Sequence, residues 1–226
     1  MPAITQRLWR MPLQPGFSSL IAFSASMLLA LLSTAVQATD EALLAQIGQQ
    51  IEQHKVVRAS FSQKKQMAAL KRPLLTEGKL VYSNAHGVLW QIEKPYKVAY
   101  LLGEDKIIEI AADGSRKQRG RRDIPGLAQV GRVFRAMLGA NTSAMQSHFA
   151  AEASGKLTQW QIVLHPKQSQ IQQFISQLTL SGGQFVENIS IDEASGDLTQ
   201  IRFYDSVSLA APSDAELQLL QSLKAP

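Results

Sequence analysis

The sequence of 226 residues contains no cysteine. This absence excludes a disulfide framework, a thiolate metal site, a cysteine nucleophile and a lipid-modified N-terminal cysteine, so the protein is not itself a lipoprotein. Charged residues are also few, at 18%, while hydrophobic residues reach 45%. Such a composition is that of a folded globular chain and excludes disorder or collagen-like repetition.

Signatures of catalysis are missing as well. The four histidines, His54, His86, His148 and His165, are scattered, and none belongs to a His-x-x-x-His pair that would present two metal ligands on one helix face. A Gly-x-Ser-x-Gly elbow and a glycine-rich phosphate loop do not occur either. We therefore expect no metal, no cofactor and no enzyme activity. A catalytic group assembled from residues distant in sequence stays open as an alternative.

Residues 1–38 have the pattern of a secretory signal. Arg7 and Arg10 precede an apolar run of 13 residues from Leu20 to Leu32, and Val36-Gln37-Ala38 is a small-x-small cleavage site. The alternative is an uncleaved anchor, but the run is shorter than the roughly 20 residues that span a bilayer. We expect cleavage after Ala38 and one domain over residues 39–226.

Basic residues are concentrated in one part of this domain. From Lys55 to Arg135 there are 17 Lys and Arg against 7 Asp and Glu, whereas from Ala136 onward there are 4 against 8. In an exported protein, such a basic region favours anionic head groups or an acidic protein surface over nucleic acid as partner. Simple solvation of charged side chains is the alternative.

The hydrophobic periodicity predicts a helix first and then an antiparallel meander. Asp40 caps a pattern of Leu43, Leu44, Ile47 and Ile51 that is typical of an amphipathic helix. Strands are predicted at 57–63, 78–82, 86–92, 96–102 and 106–111, and later at 157–164, 171–180, 185–191 and 198–204.

Between the two groups of strands the pattern changes. Residues 116–123 (RKQRGRRD) have no apolar side chain, which predicts a solvated loop or sheet edge, most simply a mobile excursion. Helical spacing returns from Leu127 to Leu138 and again from Thr142 to Phe149, and a last helix is predicted from Ser213 to Leu223 within a C-terminal tail, residues 212–226. The fold class is thus α+β, mainly β, with an antiparallel sheet of nine or ten strands.

The strands are more apolar than a sheet with one wet face requires. Val98, Tyr100, Leu101 and Leu102 are close together, as are Ile107, Ile108 and Ile110. Both faces of the sheet are therefore expected to contact apolar material. Two interpretations remain open at this point: a filled core, or a cavity between sheet and helices.

The order of these elements resembles the periplasmic carriers of outer-membrane lipoproteins, the LolA-like family. Phe61-Ser62-Gln63 is similar to the family's Phe-x-Gln strand, Gly78-Lys79-Leu80 to its Gly-x-Leu motif, and Leu89-Trp90 followed by Pro95 to its Trp-x4-Pro signature. The resemblance continues through Ala112-Asp113-Gly114, residues 133–149 and residues 198–205. It covers most of residues 40–205.

The resemblance implies a strongly curved sheet, an incomplete half-barrel, with short helices as a lid over an apolar cavity that accepts acyl chains. Any of the residues chosen for this cavity is also a candidate for ordinary core, since a shift of one residue reverses a strand's faces. The expected cavity residues are Phe61, Leu80, Trp90, Val98, Tyr100, Ile108, Phe134, Met137, Leu138, Ile162 and Phe203.

The family's function implies two kinds of partner: an acylated cargo, either a lipoprotein or another lipid, and the membrane components that load and accept it. The docking residues expected for such components are Arg116, Lys117, Arg119, Arg121 and Arg122. The missing cysteine indicates the soluble carrier rather than the family's lipid-anchored receptor. We also expect a monomer located in the periplasm.

One motif departs from the family. Its carriers have an Arg-Pro pair shortly before the tryptophan, where this chain has Ser83-Asn84-Ala85-His86-Gly87. The departure suggests a divergent relative with a different lid mechanism or cargo. Two other classes of function stay open: a non-catalytic envelope protein that binds anionic surfaces through its basic half, and an envelope hydrolase.

Overall fold

The computed structural model describes residues 41–104, 106–120, 138–139 and 142–224. The predicted signal and the helix expected from Leu127 lie outside these residues, apart from Leu138 and the glycine after it. The described strands and helices are β1 (Val56–Gln66), β2 (Leu74–Ser83), β3 (Gly87–Lys94), β4 (Val98–Leu102), β5 (Lys106–Ala111), β6 (Arg116–Gly120), β7 (Phe149–Lys156), β8 (Gln159–Pro166), β9 (Ile175–Gly182), β10 (Val186–Glu193) and β11 (Leu198–Leu209), with α1 (41–52), α2 (Thr142–His148), α3 (Ser169–Gln172) and α4 (Asp214–Gln221).

The strands form one antiparallel sheet in the order β6-β5-β4-β3-β2-β1-β11-β10-β9-β8-β7. Each half of the chain is a meander of sequential hairpins, and the pairing of β1 with β11 joins the two halves at the centre. Because β6 and β7 lie at opposite ends of this order, the sheet is open. The mainly β, antiparallel half-barrel expected from the sequence is confirmed.

Three local predictions were wrong. Strand β7 begins at Phe149, where the helical pattern was expected to end, and no strand was predicted before Leu157. Together with β6 it brings the sheet to eleven strands instead of nine or ten. Residues 171–174 precede β9 and include the end of the short helix α3. The basic residues 116–120 form the edge strand β6, so the sheet edge expected as one alternative is confirmed and the mobile excursion is wrong.

The sheet has two faces with different coverings. We call the side that carries Phe61, Trp90 and Phe203 the inner face, where Leu44 and Ile47 of α1 and Met145 of α2 belong to the same buried cluster. The rings of Trp90 and Phe203 lie 6.1 Å apart, although two strands separate β3 from β11. This short distance indicates that the sheet is strongly curved around the inner face.

The opposite, outer face carries a second apolar cluster. Val81, Leu89, Leu101 and Ile108 are buried there together with Leu220 of α4. Apolar material on both faces explains why the central strands lack simple alternation. The predicted C-terminal helix is thus confirmed, and it covers the outer face.

Helix α4 is fixed to the sheet by an ion pair. Arg58 on β1 donates from Nε and Nη2 to the two carboxylate oxygens of Glu216, at 3.0 and 2.8 Å. Glu216 also accepts from the Ser213 backbone N–H at 2.7 Å, while Ser213 caps the helix. One carboxylate therefore both completes the N-terminal cap and attaches the helix to β1.

Candidate functional site

Three aromatic side chains from separate strands, Phe61, Trp90 and Phe203, meet on the inner face. Phe61 on β1 is fully buried, and its ring centroid lies 3.8 Å from that of Trp90 on β3. Gly78 lies opposite Phe61 on the intervening strand β2, so no side chain at that position separates the two rings. The glycine and the two aromatic residues of the sequence motifs thus build one aromatic cluster.

Helix α1 covers one side of this cluster. Leu44, Ile47 and Ile51 recur at helical spacing and are all buried against the inner face. Gln50 on the same helix donates from Nε2 to the backbone oxygens of Leu157 and Gly183, at 3.1 and 2.6 Å. These bonds fix α1 beside the turns that flank β8 and β9.

Coverage of the inner face is uneven. On β8 and β9 the inner residues Ile162, Leu178 and Leu180 are completely buried. On β4, on β5 and at the end of β3 after Trp90, the inner apolar residues are only half-buried, although the register places them on the same side as Trp90. We call these residues the β3–β5 strip: Ile92, Val98, Tyr100, Leu102 and Ile107.

The environment of Tyr100 is consistent with a partly dehydrated surface. Burial raises the pKa of its hydroxyl, and the neighbouring charges of Glu109 and Tyr96 raise it further. Glu109 is the direct cross-strand partner of Tyr100. The phenol is therefore held neutral and presents an aromatic ring beside an apolar strip.

Most expected cavity residues that the structure describes share the inner face. Phe61, Leu80, Trp90, Leu138, Ile162 and Phe203 belong to one buried cluster, and Tyr100 packs against it. Val98 is half-buried on the same side. Ile108 was expected on the inner face, but it pairs with Leu101 and packs on the outer face in the same cluster as Leu220. Phe134 and Met137 lie outside the described residues.

Sequence reasoning missed three members of the strip, Ile92, Leu102 and Ile107. The sequence contained a signal for two of them, because residues two apart on a strand share a face. Ile92 is two residues after Trp90, and Leu102 is two residues after Tyr100. The register confirms this relation, since Leu102 pairs with Ile107 and Val98 with Ile92. The position of Ile107 depends on the length of the turn before it, which periodicity alone does not give.

Three of the expected docking residues, Arg116, Lys117 and Arg119, belong to the edge strand β6. Arg116 and Lys117 are exposed, and Arg116 donates to the hydroxyl of Ser222 at 3.0 Å. Arg119 is in β6, but its side chain is outside the description, as are residues Arg121 and Arg122. The edge is therefore basic at Arg116 and Lys117.

Within residues 41–104, 106–120, 138–139 and 142–224, no group of three or more histidines or carboxylates is placed to hold a metal ion. None of the helices that the structure describes has both the length and the apolar character needed to cross a membrane.

An open, curved antiparallel sheet with helices on an apolar inner face defines the half-barrel class of carrier folds. Residues 34–215 match the model of a protein family described as outer membrane lipoprotein carrier protein LolA-like. This chain belongs to that family. A comparison with curated proteins finds no match.

Solved structures that this chain matches have very different sequences. A LolA superfamily protein from Nitrosomonas europaea is 8% identical, with a TM-score of 0.44, and the match covers 75% of this chain and 95% of that one. A DUF1329 family protein from Desulfovibrio piger is 11% identical, also with a TM-score of 0.44, over 82% of this chain and 99% of the other. These values carry no information about cargo.

Proposed function

We propose that this protein is a periplasmic carrier that binds the acyl chains of a lipoprotein or another lipid-linked cargo on its inner face and shuttles it from the inner to the outer membrane. The observation that carries the proposal is the half-buried β3–β5 strip beside the aromatic cluster. In a member of a lipoprotein carrier family, an apolar surface of this kind suits an acyl chain.

The physical requirement for a carrier is simple. Each CH₂ group transferred from water to an apolar site gains about 0.8 kcal/mol, so a long acyl chain does not cross an aqueous compartment free. Non-covalent binding is sufficient for this task, and the carrier needs neither catalysis nor a cofactor. Energy for loading would be supplied by a membrane complex, and a tighter acceptor would remove the cargo.

The two isoleucines of β5 allow a matched test. Ile107 and Ile110 are both half-buried on the same strand, but they lie on the inner and outer faces respectively. We expect Ile107→Asn to weaken the binding of a fluorescent fatty-acyl probe at least tenfold, because it places an amide in the strip. Ile110→Asn should leave the affinity for the probe within about twofold, since its side chain packs under α4.

Native mass spectrometry of protein purified without detergent supplies the second measurement. A co-purifying acyl species at about one per chain, absent from Ile107→Asn and present in Ile110→Asn, would support the proposal. Equal affinity of both variants for the probe, with no bound species in the parent protein, would refute it. Circular dichroism of both variants verifies that each is folded.

We also propose that Arg116, Lys117, Arg119, Arg121 and Arg122 dock the carrier, as a monomer, on the membrane complex that loads it. Support comes from the exposure of Arg116 and Lys117 at a sheet edge, where strand β6 presents them to a partner. Complementary charge would accelerate docking rather than tighten the final complex.

A further inference from the structure

A groove of about 410 Å³ lies across β1, β2, β9, β10 and β11. The register places most of its lining side chains on the outer face, on different strands from the Leu89, Leu101 and Ile108 positions that pack with α4. Hydroxyl and amide groups dominate this lining. They belong to Ser62, Thr179, Ser181, Asn188, Ser190 and Gln200.

Two cations, Lys64 and Arg202, lie in this groove. Lys64 is opposite Gln200, and Arg202 is opposite Ser62, so the two are diagonal neighbours on paired strands, with a backbone separation of about 7–8 Å. Both are exposed, and neither has an ion pair within the part of the chain that the structure describes. They are therefore available to an anion.

Several other charges on this face have partners, whereas Glu187 and Asp205 lie with Arg202 along a second pocket beside the groove. Arg58 is paired with Glu216, and Lys79 lies 3.3 Å from Glu93. The acidic residue that lines the groove, Glu77, accepts from Lys94 at 2.9 Å. Among the residues that line the groove, two cations therefore outnumber one paired carboxylate next to hydroxyl groups, which is the chemistry that binds a phosphate carried by a polyol.

An apolar rim adjoins the cationic groove. Leu75 lines the groove directly opposite Lys64 and is 63% exposed. Leu74 and Leu70 are 50% and 45% exposed in the same hairpin, which also carries the exposed cations Lys71 and Arg72. Exposed leucines beside cations are typical of surfaces that enter the interface of an anionic membrane.

We propose that this groove binds the phosphate and hydroxyl groups of an anionic phospholipid head group, while Leu70, Leu74 and Leu75 enter the acyl boundary of the membrane. Lys64 and Arg202 contact the phosphate, and the hydroxyl and amide side chains accept the glycerol. The site lies on the opposite face of the sheet from the β3–β5 strip. The inference therefore does not depend on the acyl-carrier proposal.

Vesicle co-sedimentation tests the cationic pair. The parent protein should bind vesicles of phosphatidylglycerol and phosphatidylcholine, and bind pure phosphatidylcholine only weakly. Lys64→Gln combined with Arg202→Gln should weaken binding to the anionic vesicles about thirtyfold. The control double variant, Lys55→Gln with Lys156→Gln, has the same net charge outside the groove and should lose threefold at most. Equal losses in the two double variants would overturn the proposal.

A soluble ligand distinguishes a lipid head group from a free sugar phosphate. We expect glycerol 1-phosphate to bind only in the millimolar range by NMR titration, with shifts at the groove that the Lys64 and Arg202 variant abolishes. Leu75→Ser should weaken vesicle binding several-fold and leave glycerol 1-phosphate binding unchanged, whereas Val207→Ser, at another exposed aliphatic residue, should affect neither. Micromolar binding of glycerol 1-phosphate together with unchanged vesicle binding by Leu75→Ser would overturn the lipid assignment.

The acyl probe separates this site from the proposed carrier function. The Lys64 and Arg202 variant should bind the fluorescent fatty-acyl probe as the parent protein does, and Ile107→Asn should bind anionic vesicles normally. Loss of both activities in both variants, with circular dichroism showing that each is folded, would contradict two separate sites.

Discussion

At the scale of single residues, Glu216 links the stability of α4 to pH. Burial opposes its ionisation, but the hydrogen bonds from Arg58 and Ser213 outweigh this effect and lower the pKa of the carboxyl below its usual 4.5. The folded state therefore binds this proton more weakly than the unfolded state does. The resulting stability is complete above the ordinary pKa and is lost as pH falls through the lowered one.

We expect Glu216→Gln to reduce the free energy of unfolding by about 1 kcal/mol near pH 7, since Arg58 is partly solvated and the cap survives in part. The difference from the parent protein should shrink as pH falls below 4.5. Urea unfolding followed by circular dichroism measures it. Glu152→Gln, a change at an exposed carboxylate on β7, serves as the control; a constant deficit for Glu216→Gln at every pH would contradict the linkage.

At the scale of strands and helices, Gly78 sets the approach of β2 to β3. A Cβ atom at this position would collide with the backbone oxygen of Gln91, and the pairing register shifts between Glu77 and Gly78. Gly78→Ala should therefore destabilise the protein by about 1–3 kcal/mol. Thermal unfolding tests this expectation, with Lys79→Ala as the control on the adjacent exposed position. Equal stability of the two variants would show that β2 moves away from β3 without cost.

Strands and helices were predictable where the apolar side chains are large and the hydrophobic pattern has a clear period. Strand β5 was predicted with its observed bounds because Ile107, Ile108 and Ile110 have high strand propensity. Strand β7 was missed although its burial does alternate: Phe149 and Ala153 are buried, while Glu152 is exposed. Alanine and serine side chains give too weak a signal of strand structure. This segment forms a strand because it pairs with β8.

The candidate site was predictable in part for the same reason. The aromatic residues Phe61, Trp90 and Phe203 were chosen from motifs and alternation, and they meet on the inner face. Ile108 was assigned to that face because periodicity within β5 does not reveal which isoleucine pairs with Leu101. The unpaired cations Lys64 and Arg202 belong to strands that are far apart in the sequence, and only the pairing of β1 with β11 brings them together.

At the scale of the whole molecule, that pairing joins a basic meander to an acidic one. Residues from Lys55 to Arg135 carry the excess of cations, and this segment ends the sheet with strand β6. Residues from Ala136 onward carry the excess of acids. A molecule with this asymmetry is oriented as it approaches a charged surface, with its basic meander toward anionic groups.

This asymmetry predicts a salt-dependent association with the inner membrane. We expect Lys117→Glu combined with Arg119→Glu to slow association with detergent-free inner-membrane vesicles about tenfold at low salt, measured by stopped-flow fluorescence. The effect should shrink near 0.15 M salt, where the Debye length is about 8 Å. The control, Lys55→Glu with Lys156→Glu, changes net charge equally away from β6. Liposomes of the extracted lipids separate protein docking from lipid binding: an equal slowing on liposomes, or unchanged association with native vesicles at low salt, would contradict docking through this edge.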